Sequence, residues 1–285
     1  MLSGCATAGF IDYTSISGNI LPHKEYRPDW EQIYPGLEVE YWIQNSPSLA
    51  VTALRIDLEH PERDIFVTSG NMPVDSGSAY TNVDDIEKNF SSRTTSRFLE
   101  DSDCIAAINA TPYYPFRIFQ GFSQRAVGVV ISNGILYASS PEYAVFSITE
   151  DNEVSFTAPP FNSINVSGAD QAAGGFFIIL KDGENIGAGG KRNPLSIVGT
   201  SRNGRYLFLA VVDGEDKNWS IGASLREGAE WMEALGAYNA MILDGGDSST
   251  LVIRGEDGKN LLLNKPAGFN LFSRERPVAV HIGVR

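Results

Sequence analysis

Short apolar or alternating runs dominate the pattern of hydrophobic and polar positions along the chain. They are rich in β-branched and aromatic residues, which is typical of strands. The predicted strands include Val39–Ile43, Ala50–Leu58, Asp64–Thr68, Cys104–Asn109, Val127–Ser132 and Ala144–Thr149. Pairs such as Asn133-Gly134 and Asp182-Gly183 separate runs of this kind. Because Asn, Asp and Gly tolerate the left-handed backbone of type I′ turns, these pairs predict several hairpins.

Two segments have helical patterns, Asp84–Leu99 and, more clearly, Gly222–Gly236. In the second, Ser224 and Glu227 have the spacing of a capping box, in which each side chain satisfies a free backbone donor of the other residue. The apolar positions that follow repeat at helical spacing: Leu225, Ala229, Met232 and Leu235. Gly236 then acts as a stop signal. The pattern predicts a helix with one buried face.

Apolar strands flank this helix, at Arg205–Val212 before it and at Tyr238–Leu243 after it. A strand, a helix and a strand of these lengths close as a right-handed parallel crossover. The predicted fold is therefore an α+β, strand-rich single domain with a βαβ crossover (strands near 205–212 and 238–243) and several hairpins. Asp213 and Asp244 directly follow the two strands. We expect both carboxylates at one rim of the sheet, where ligands bind in such folds.

The composition narrows the range of partners. The chain has 285 residues, 42% of them hydrophobic, which is enough for a large core. Its 35 acidic and 22 basic side chains give a net charge of -13. An acidic surface repels phosphate backbones and anionic headgroups, which argues against nucleic acid and against a membrane surface as partners. No apolar run in the sequence approaches the ~18 residues that would span a bilayer.

The start of the chain carries a separate signal. Leu2-Ser3-Gly4-Cys5 has the small-residue pattern of a bacterial lipoprotein cleavage site. It predicts an exported, periplasmic or outer-envelope lipoprotein whose only membrane contact is a lipid on Cys5. A chance match at a solvent-exposed cysteine is the alternative. We expect residues 1–35 to form this N-terminus and an irregular lead, and residues 36–285 to form the domain.

The loop Asp244-Gly245-Gly246-Asp247-Ser248-Ser249-Thr250 is the most unusual stretch of the chain. Two acids, two glycines and three hydroxyls follow a buried strand with no apolar residue among them. Glycines let the backbone bring amide donors close to a ligand, and hydroxyls bind sugar or phosphate oxygens. A glycine-rich hairpin whose hydroxyls cap backbone groups is the alternative.

This loop, within Ile242–Leu251, resembles the signature loop of the phosphodiester glycosidase family. Further segments resemble family segments in the same order: Ile108–Tyr114, Gly174–Gly183, Val211–Gly214, Gly222–Leu225 and Arg276–Ala279. The resemblance runs from about Pro35 to the C-terminus.

The sequence also departs from the family pattern. Position 247 is usually glycine, and Asp247 adds a carboxylate beside Asp244. Leu195 stands where the family commonly has an arginine, although Lys191 and Arg192 lie close before it. The glycines that usually follow Asn109 are Ala110 and Thr111. These departures leave the fold expectation intact and bear on the substrate and on catalysis.

The resemblance implies a hydrolase that cleaves the anomeric C–O bond of a sugar-1-phosphodiester and releases a sugar and a phosphomonoester. Glycoside cleavage normally uses two carboxylates. Because a phosphate leaves with little need for protonation, the base or nucleophile matters most, and we expect Asp244 in that role with Asp213 second. The expected contacts to this carbohydrate or sugar-phosphate substrate are Asn109, Gly245, Gly246, Ser248, Ser249, Thr250 and Arg276. The planar fork of Arg276 suits a phosphate, and pairing with neighbouring acids is its alternative.

Other functions stay open at this level. Asp244, Asp247 and Asp213 carry oxygen ligands that suit calcium or magnesium. A metal-dependent phosphodiesterase that cuts the P–O bond in the same site is therefore one alternative. A non-catalytic envelope protein that binds polysaccharide is another, and the missing arginine at Leu195 is its best support. His281 lies in an alternating run and is predicted to be a strand-face residue.

Overall fold

The computed structural model of the protein describes residues 20–22, 25–71, 89–140, 143–158, 166, 168–268 and 275–285. Of these residues, 42% lie in strands and 9% in helices. Cys5 and the first part of the predicted helix Asp84–Leu99 lie outside the described residues.

In chain order, the strands and helices are β1 (Glu31–Tyr34), β2 (Leu37–Asn45), β3 (Ser48–Asp57), β4 (Ile65–Val67), β5 (Phe90–Ser91), α1 (Thr95–Asp101), β6 (Ala106–Asn109), β7 (Tyr113–Tyr114), β8 (Ser123–Ala126), β9 (Val130–Ser132), β10 (Ile135–Ala138), β11 (Val145–Ile148), β12 (Val154–Thr157), β13 (Gln171–Gly174), β14 (Ile178–Lys181), β15 (Glu184–Asn185), β16 (Leu195–Thr200), β17 (Tyr206–Val212), α2 (Leu225–Leu235), β18 (Asn239–Ile242), β19 (Leu251–Arg254), β20 (Asn260–Leu262) and β21 (His281–Val284). A short 3₁₀ turn covers Gly246–Ser248.

The strands form four sheets. The main sheet has eight strands in the order β1-β2-β3-β17-β16-β18-β14-β15. Two five-stranded sheets have the orders β10-β9-β13-β11-β12 and β20-β19-β6-β21-β4, and β5-β8-β7 form a small three-stranded sheet. The strands β1 to β3 belong to the same sheet as β16 to β18, so segments far apart in the sequence share one sheet.

The predicted α+β class and its βαβ crossover are wrong. The described chain is mostly β, with only the two helices α1 and α2, and its strand pairings are antiparallel. The strands β17 and β18 are not neighbours, because β16 lies between them and pairs antiparallel with each. Two strands that are each antiparallel to a common neighbour run in the same direction. Their carboxyl ends, followed by Asp213 and Asp244, therefore reach the same edge of the main sheet.

Burial on both faces explains the misleading apolar pattern of β17. Leu207, Leu209 and Val211 point into the large core that the main sheet shares with the two five-stranded sheets. The alternate residues, Phe208 and Val212 among them, point into a second core beneath α2. A continuous apolar run is typical of parallel strands covered on both faces. Here an antiparallel sheet is covered on both faces, so the same run appears.

The helix predicted over Gly222–Gly236 is observed as α2. Ser224 accepts a bond from the Glu227 amide, Glu227 accepts one from the Ser224 amide, and Gly236 ends the helix at a φ of 106°. The predicted helix Asp84–Leu99 is confirmed over Thr95–Leu99, which belongs to α1, and is wrong over Phe90–Ser91, which pairs with β8. Neither described helix is long and apolar enough to cross a membrane.

Candidate active site

The loop after β18 is folded tightly against the segment before β16. The Asp244 amide donates to Ala110 O (2.7 Å), and the Gly246 amide donates to Pro194 O (3.0 Å). A side chain at Gly245 would meet Pro194 O at 2.9 Å, and Gly246 has a φ of 62°. Both positions therefore favour glycine, one for space and one for backbone conformation.

Asn109, at the end of β6, fixes this loop through hydrogen bonds of its side chain. Its amide nitrogen donates to Asp244 O (2.7 Å), and its oxygen accepts from the Thr250 amide (3.0 Å) and from the Ser196 hydroxyl (2.8 Å). The side chain is fully buried. The sequence predicts a substrate contact for Asn109, whereas its position makes it a clamp on the loop.

The Asp244 side chain combines partial burial with incomplete hydrogen bonding. Its Oδ2 is inaccessible to solvent and has no hydrogen-bond partner among the described residues. Burial raises the pKa of Asp244 to about 7. The Ser248 hydroxyl and the charge of Arg276 oppose that rise, and the charge of Asp247 adds to it. A carboxyl with this pKa exchanges protons near neutral pH, which suits acid–base work.

Tyr113, on β7, is a site residue that sequence reasoning missed. Its hydroxyl lies 3.5 Å from the Ser248 hydroxyl, and the side chain is buried. Burial raises the pKa of Tyr113, the charge of Asp244 raises it further, and Arg276 lowers it. The phenol is therefore a protonated donor beside Asp244. Its place in Ile108–Tyr114, which resembles a family segment, was the available signal.

Arg276 is brought to this loop from the far end of the chain. Its guanidinium donates to Asp247 Oδ2 (2.5 Å) and lies over the Phe116 ring, 5.1 Å from the centroid. Asp247, where the family usually has glycine, thus provides a counter-ion. The alternative that Arg276 pairs with an acid is observed, and its charge still reaches Asp244 and Tyr113.

Glu215 is the second residue that sequence reasoning missed. It adopts a left-handed backbone, with a φ of 61°, which is uncommon for a residue with a side chain. Desolvation and then the charge of Asp247 raise the pKa of Glu215, while Lys191 and Arg276 lower it. The structure therefore places Glu215 and Lys191 near the ion pair of Asp247 and Arg276. The unusual φ could not be read from the sequence Asp213-Gly214-Glu215.

Asp213 lies at the expected edge of the main sheet, but its carboxylate already accepts hydrogen bonds from other residues of the protein. Its carboxylate accepts from the Trp219 indole (2.7 Å), from the Asn264 amide (2.8 Å) and from the Lys265 backbone amide (3.0 Å). Burial raises its pKa, and these donors lower it. Asn264 also donates to Ser249 O (3.1 Å). Asp213 therefore acts on the loop through Asn264, as a structural hub.

The three hydroxyls of the loop are all buried. Ser248 is directed at Asp244 and Tyr113. The hydroxyls of Ser249 and Thr250 have no hydrogen-bond partner among the described residues, although both side chains are below the surface. Of the predicted substrate contacts in the loop, the Ser248 hydroxyl and the Gly245 backbone hydrogen-bond to the Asp244 carboxyl.

The predicted metal ligands do not form a metal-binding set. The described residues contain no group of three or more His, Cys, Asp or Glu side chains arranged for an ion. Asp247 is paired with Arg276, and both oxygens of Asp213 accept bonds from the protein. Among the buried carboxylate oxygens of the described chain, Oδ2 of Asp244 has no hydrogen-bond partner. The donors do not fit calcium or magnesium, which require several oxygens at once.

Leu195 and His281 serve the core. Leu195, in place of the family arginine, packs with α2 in the second core cluster. His281 is fully buried, stacks on Phe98 and lies 3.3 Å from the Thr68 hydroxyl through Nδ1. Burial lowers its pKa well below the ordinary value, so the ring is neutral.

The chain resembles known proteins in sequence pattern and in structure. A family model described as phosphodiester glycosidase matches residues 102–285. No curated protein sequence matches the chain.

Three solved structures resemble the protein. The catalytic domain of zebrafish N-acetylglucosamine-1-phosphodiester alpha-N-acetylglucosaminidase, auto-inhibited by its pro-peptide, has a TM-score of 0.63 at 19% identity, over 99% of this chain and 95% of that one. A hypothetical protein from Synechocystis has a TM-score of 0.63 at 14% identity, over 92% of this chain. This chain spans 64% of the length of the Synechocystis protein. A Burkholderia pseudomallei protein has a TM-score of 0.56 at 12% identity, over 84% of this chain and 74% of that one. At these identities the likeness shows the fold alone.

The raised pKa of Asp244 predicts a pH-dependent stability. A carboxyl whose folded pKa lies above its unfolded value stabilises the fold fully below the unfolded value of 3.8, and that contribution is lost as pH rises through about 7. Asp244→Asn keeps the shape without the charge. Relative to the native protein, the unfolding free energy of this variant should therefore increase between pH 4 and pH 8 by at most about 4 kcal/mol. Its melting temperature relative to the native protein should rise over the same range.

Asp57→Asn is the matched control of opposite sign. A hydrogen bond from Arg205 lowers the pKa of Asp57, so its contribution is present above 3.8 and is lost as pH falls. This variant should be less stable than the native protein at pH 8. A difference between Asp244→Asn and the native protein that is constant with pH would contradict the raised pKa.

Proposed function

This chain belongs to the phosphodiester glycosidase family, and from that membership we propose that it hydrolyses the anomeric C–O bond of a sugar-1-phosphodiester. The products are a free sugar and a phosphomonoester. The observation that carries the proposal is Asp244, a carboxyl with a pKa of about 7 and a free oxygen at the end of β18. The zebrafish relative is named for this kind of bond, with N-acetylglucosamine as its sugar.

We assign the Asp244 carboxylate the role of general base. In this mechanism it takes a proton from a water molecule whose oxygen attacks the anomeric carbon. The bond from that carbon to the phosphate oxygen breaks, and the electron pair leaves with the phosphomonoester. A pKa of about 7 suits this proton transfer, since a base works best when its pKa lies near the working pH.

The surrounding residues prepare this step. The Ser248 hydroxyl hydrogen-bonds to the Asp244 carboxyl and holds its orientation, and the Tyr113 hydroxyl lies 3.5 Å from the Ser248 hydroxyl. The Arg276 guanidinium supplies the positive charge for the substrate phosphate, which gains negative charge as the bond breaks. The Asn109 clamp keeps the loop backbone in place. Asp213 contributes to this positioning through Asn264.

The central prediction concerns turnover by Asp244→Asn. This change removes the proton acceptor, so kcat should fall by roughly 100-fold or more, the scale of a lost proton-transfer group. In the native protein, kcat/KM should rise with pH and level off above about 7. The measurement is hydrolysis of a panel of sugar-1-phosphodiesters between pH 5 and pH 9, with and without chelator.

Asp213→Asn is the comparison variant, because its carboxylate serves the fold. It should lose stability, while turnover per folded molecule falls far less than in Asp244→Asn. Hydrolysis in isotopically labelled water identifies the broken bond. Label in the phosphate would show that the P–O bond is broken, as in a phosphodiesterase, and would overturn the proposed function. Sugar binding without turnover of any panel member would leave a polysaccharide-binding protein.

A second prediction concerns Asp247, which raises the pKa of Asp244 and occupies Arg276. Asp247→Asn removes both effects, so the acidic limb of the pH profile should move to lower pH. KM for a phosphodiester should also fall by about two- to fivefold, because Arg276 loses its counter-ion. Asp257→Asn changes the net charge equally at an exposed pair with Lys259. It should leave the profile unchanged, and an equal shift in both variants would contradict the local effect.

We also propose that the protein is an exported lipoprotein of the bacterial envelope, anchored through Cys5. The sequence Leu2-Ser3-Gly4-Cys5 supports this location, and the residue lies outside the described part of the chain. Labelling of the full-length gene product with radioactive palmitate should mark the native protein and leave Cys5→Ser unlabelled. Equal labelling of Cys104→Ser and the native protein is the expected control. An unlabelled native protein in a soluble cell fraction would contradict the proposal.

A further inference from the structure

A ridge of exposed hydrocarbon side chains stands beside the candidate active site. It consists of Tyr114, Phe116, Ile118, Phe119 and Phe122, which are between 52% and 61% exposed. Eleven large hydrophobic side chains of the described chain are at least 43% exposed, and five of them lie between residues 114 and 122. We call this feature the aromatic ridge.

The backbone of the ridge is held in place. The Ser92 amide donates to Phe122 O (2.8 Å), and the Gly121 amide donates to Ser92 O (2.7 Å). The Ser92 hydroxyl donates to Phe119 O (3.2 Å), and Gln120 accepts from the Thr94 amide (3.1 Å). The ridge side chains therefore project from an ordered loop. Concentrated exposed hydrocarbon of this kind marks a binding surface.

The ridge is continuous with the site. Phe116 contacts Tyr113 edge to face, with ring centroids 5.6 Å apart, and the Arg276 guanidinium lies 5.1 Å from the centroid of the Phe116 ring. Arg117 lies 5.9 Å from the Phe122 ring. Two cations thus stand against the ridge on a chain of net charge -13. A phosphate held at Arg276 would have an attached hydrocarbon chain directed onto Phe116 and the residues beyond.

We propose that the aromatic ridge binds the apolar arm of the phosphodiester substrate, so that the substrate class is a sugar-1-phosphodiester of a lipid-like alcohol. This inference rests on the proposed function. Of the five ridge side chains only Tyr114 carries a hydrogen-bonding group, whereas a sugar site needs several placed polar partners. The acidic surface disfavours general attachment to an anionic membrane. An anionic head joined to a hydrocarbon tail matches the cations and the ridge together.

Binding of methyl phosphate and octyl phosphate, measured by calorimetry below the micelle concentration, tests the proposal. Burial of the extra methylenes should make the native protein bind octyl phosphate at least about tenfold more tightly than methyl phosphate. The variant Ile118→Ser/Phe119→Ser leaves Phe116 and Arg276 in contact. It should reduce the advantage to about threefold or less, with methyl phosphate unaffected. Leu261→Ser, 53% exposed like Ile118, should keep the full advantage.

Three outcomes would overturn the proposal. One is no tighter binding of octyl phosphate by the native protein, and another is an undiminished advantage in the double variant. The third is flotation of the native protein, but not of the double variant, with phosphatidylcholine vesicles that carry no phosphate ligand added, which would assign the ridge to a bilayer surface. The calorimetry needs no turnover, so its result is independent of the proposed activity. Hydrolysis without any octyl advantage would leave the glycosidase proposal standing and remove the ridge from it.

Discussion

The candidate site depends on one buried amide, that of Asn109. It joins the end of β6 to the backbone of Asp244, to the backbone of Thr250 and to the Ser196 side chain on β16. Because a buried amide left without partners costs free energy, these three bonds stabilise a single arrangement of the loop. The loop between β18 and β19 therefore has its ends fixed at the junction of two sheets, and the Asp244 carboxyl is positioned by rigid strands.

The electrostatics of the site follow from this placement. A carboxyl held at the sheet junction loses hydration, and its pKa rises toward neutrality. Nearby charges adjust that value in both directions, since Arg276 lowers it and Asp247 raises it. Asp247, which stands where the family usually has glycine, also pairs with Arg276. The positive charge of Arg276 is therefore compensated in this chain. Compensation of this kind limits the positive charge that the site shows to an anionic substrate.

The second predicted carboxylate illustrates how a shared edge differs from a shared role. Asp213 and Asp244 follow strands that run in the same direction, yet their surroundings differ. Three donors from the residues 219 to 265 satisfy Asp213, while Asp244 keeps an oxygen without a partner in the described chain. A satisfied carboxylate organises structure, and an unsatisfied one beside a ligand site can exchange protons. Tyr113 and Glu215 complete the site, although neither residue was among the predicted site residues.

The sequence by itself determined the features that arise from local chemistry. The alternation of apolar residues located strands such as β2, β3 and β11, the pair Ser224 and Glu227 located α2, and the glycine-rich loop located Asp244. Only the tertiary structure decided the fold class, because an apolar run such as β17 reports burial on both faces and carries no information on the direction of its neighbours. It also decided which polar residues meet: Asn109 and Asp244 are 135 residues apart. The clamp, the hub at Asp213 and the contact of Arg276 with Asp247 all arise between distant segments, and no local pattern encodes such pairs.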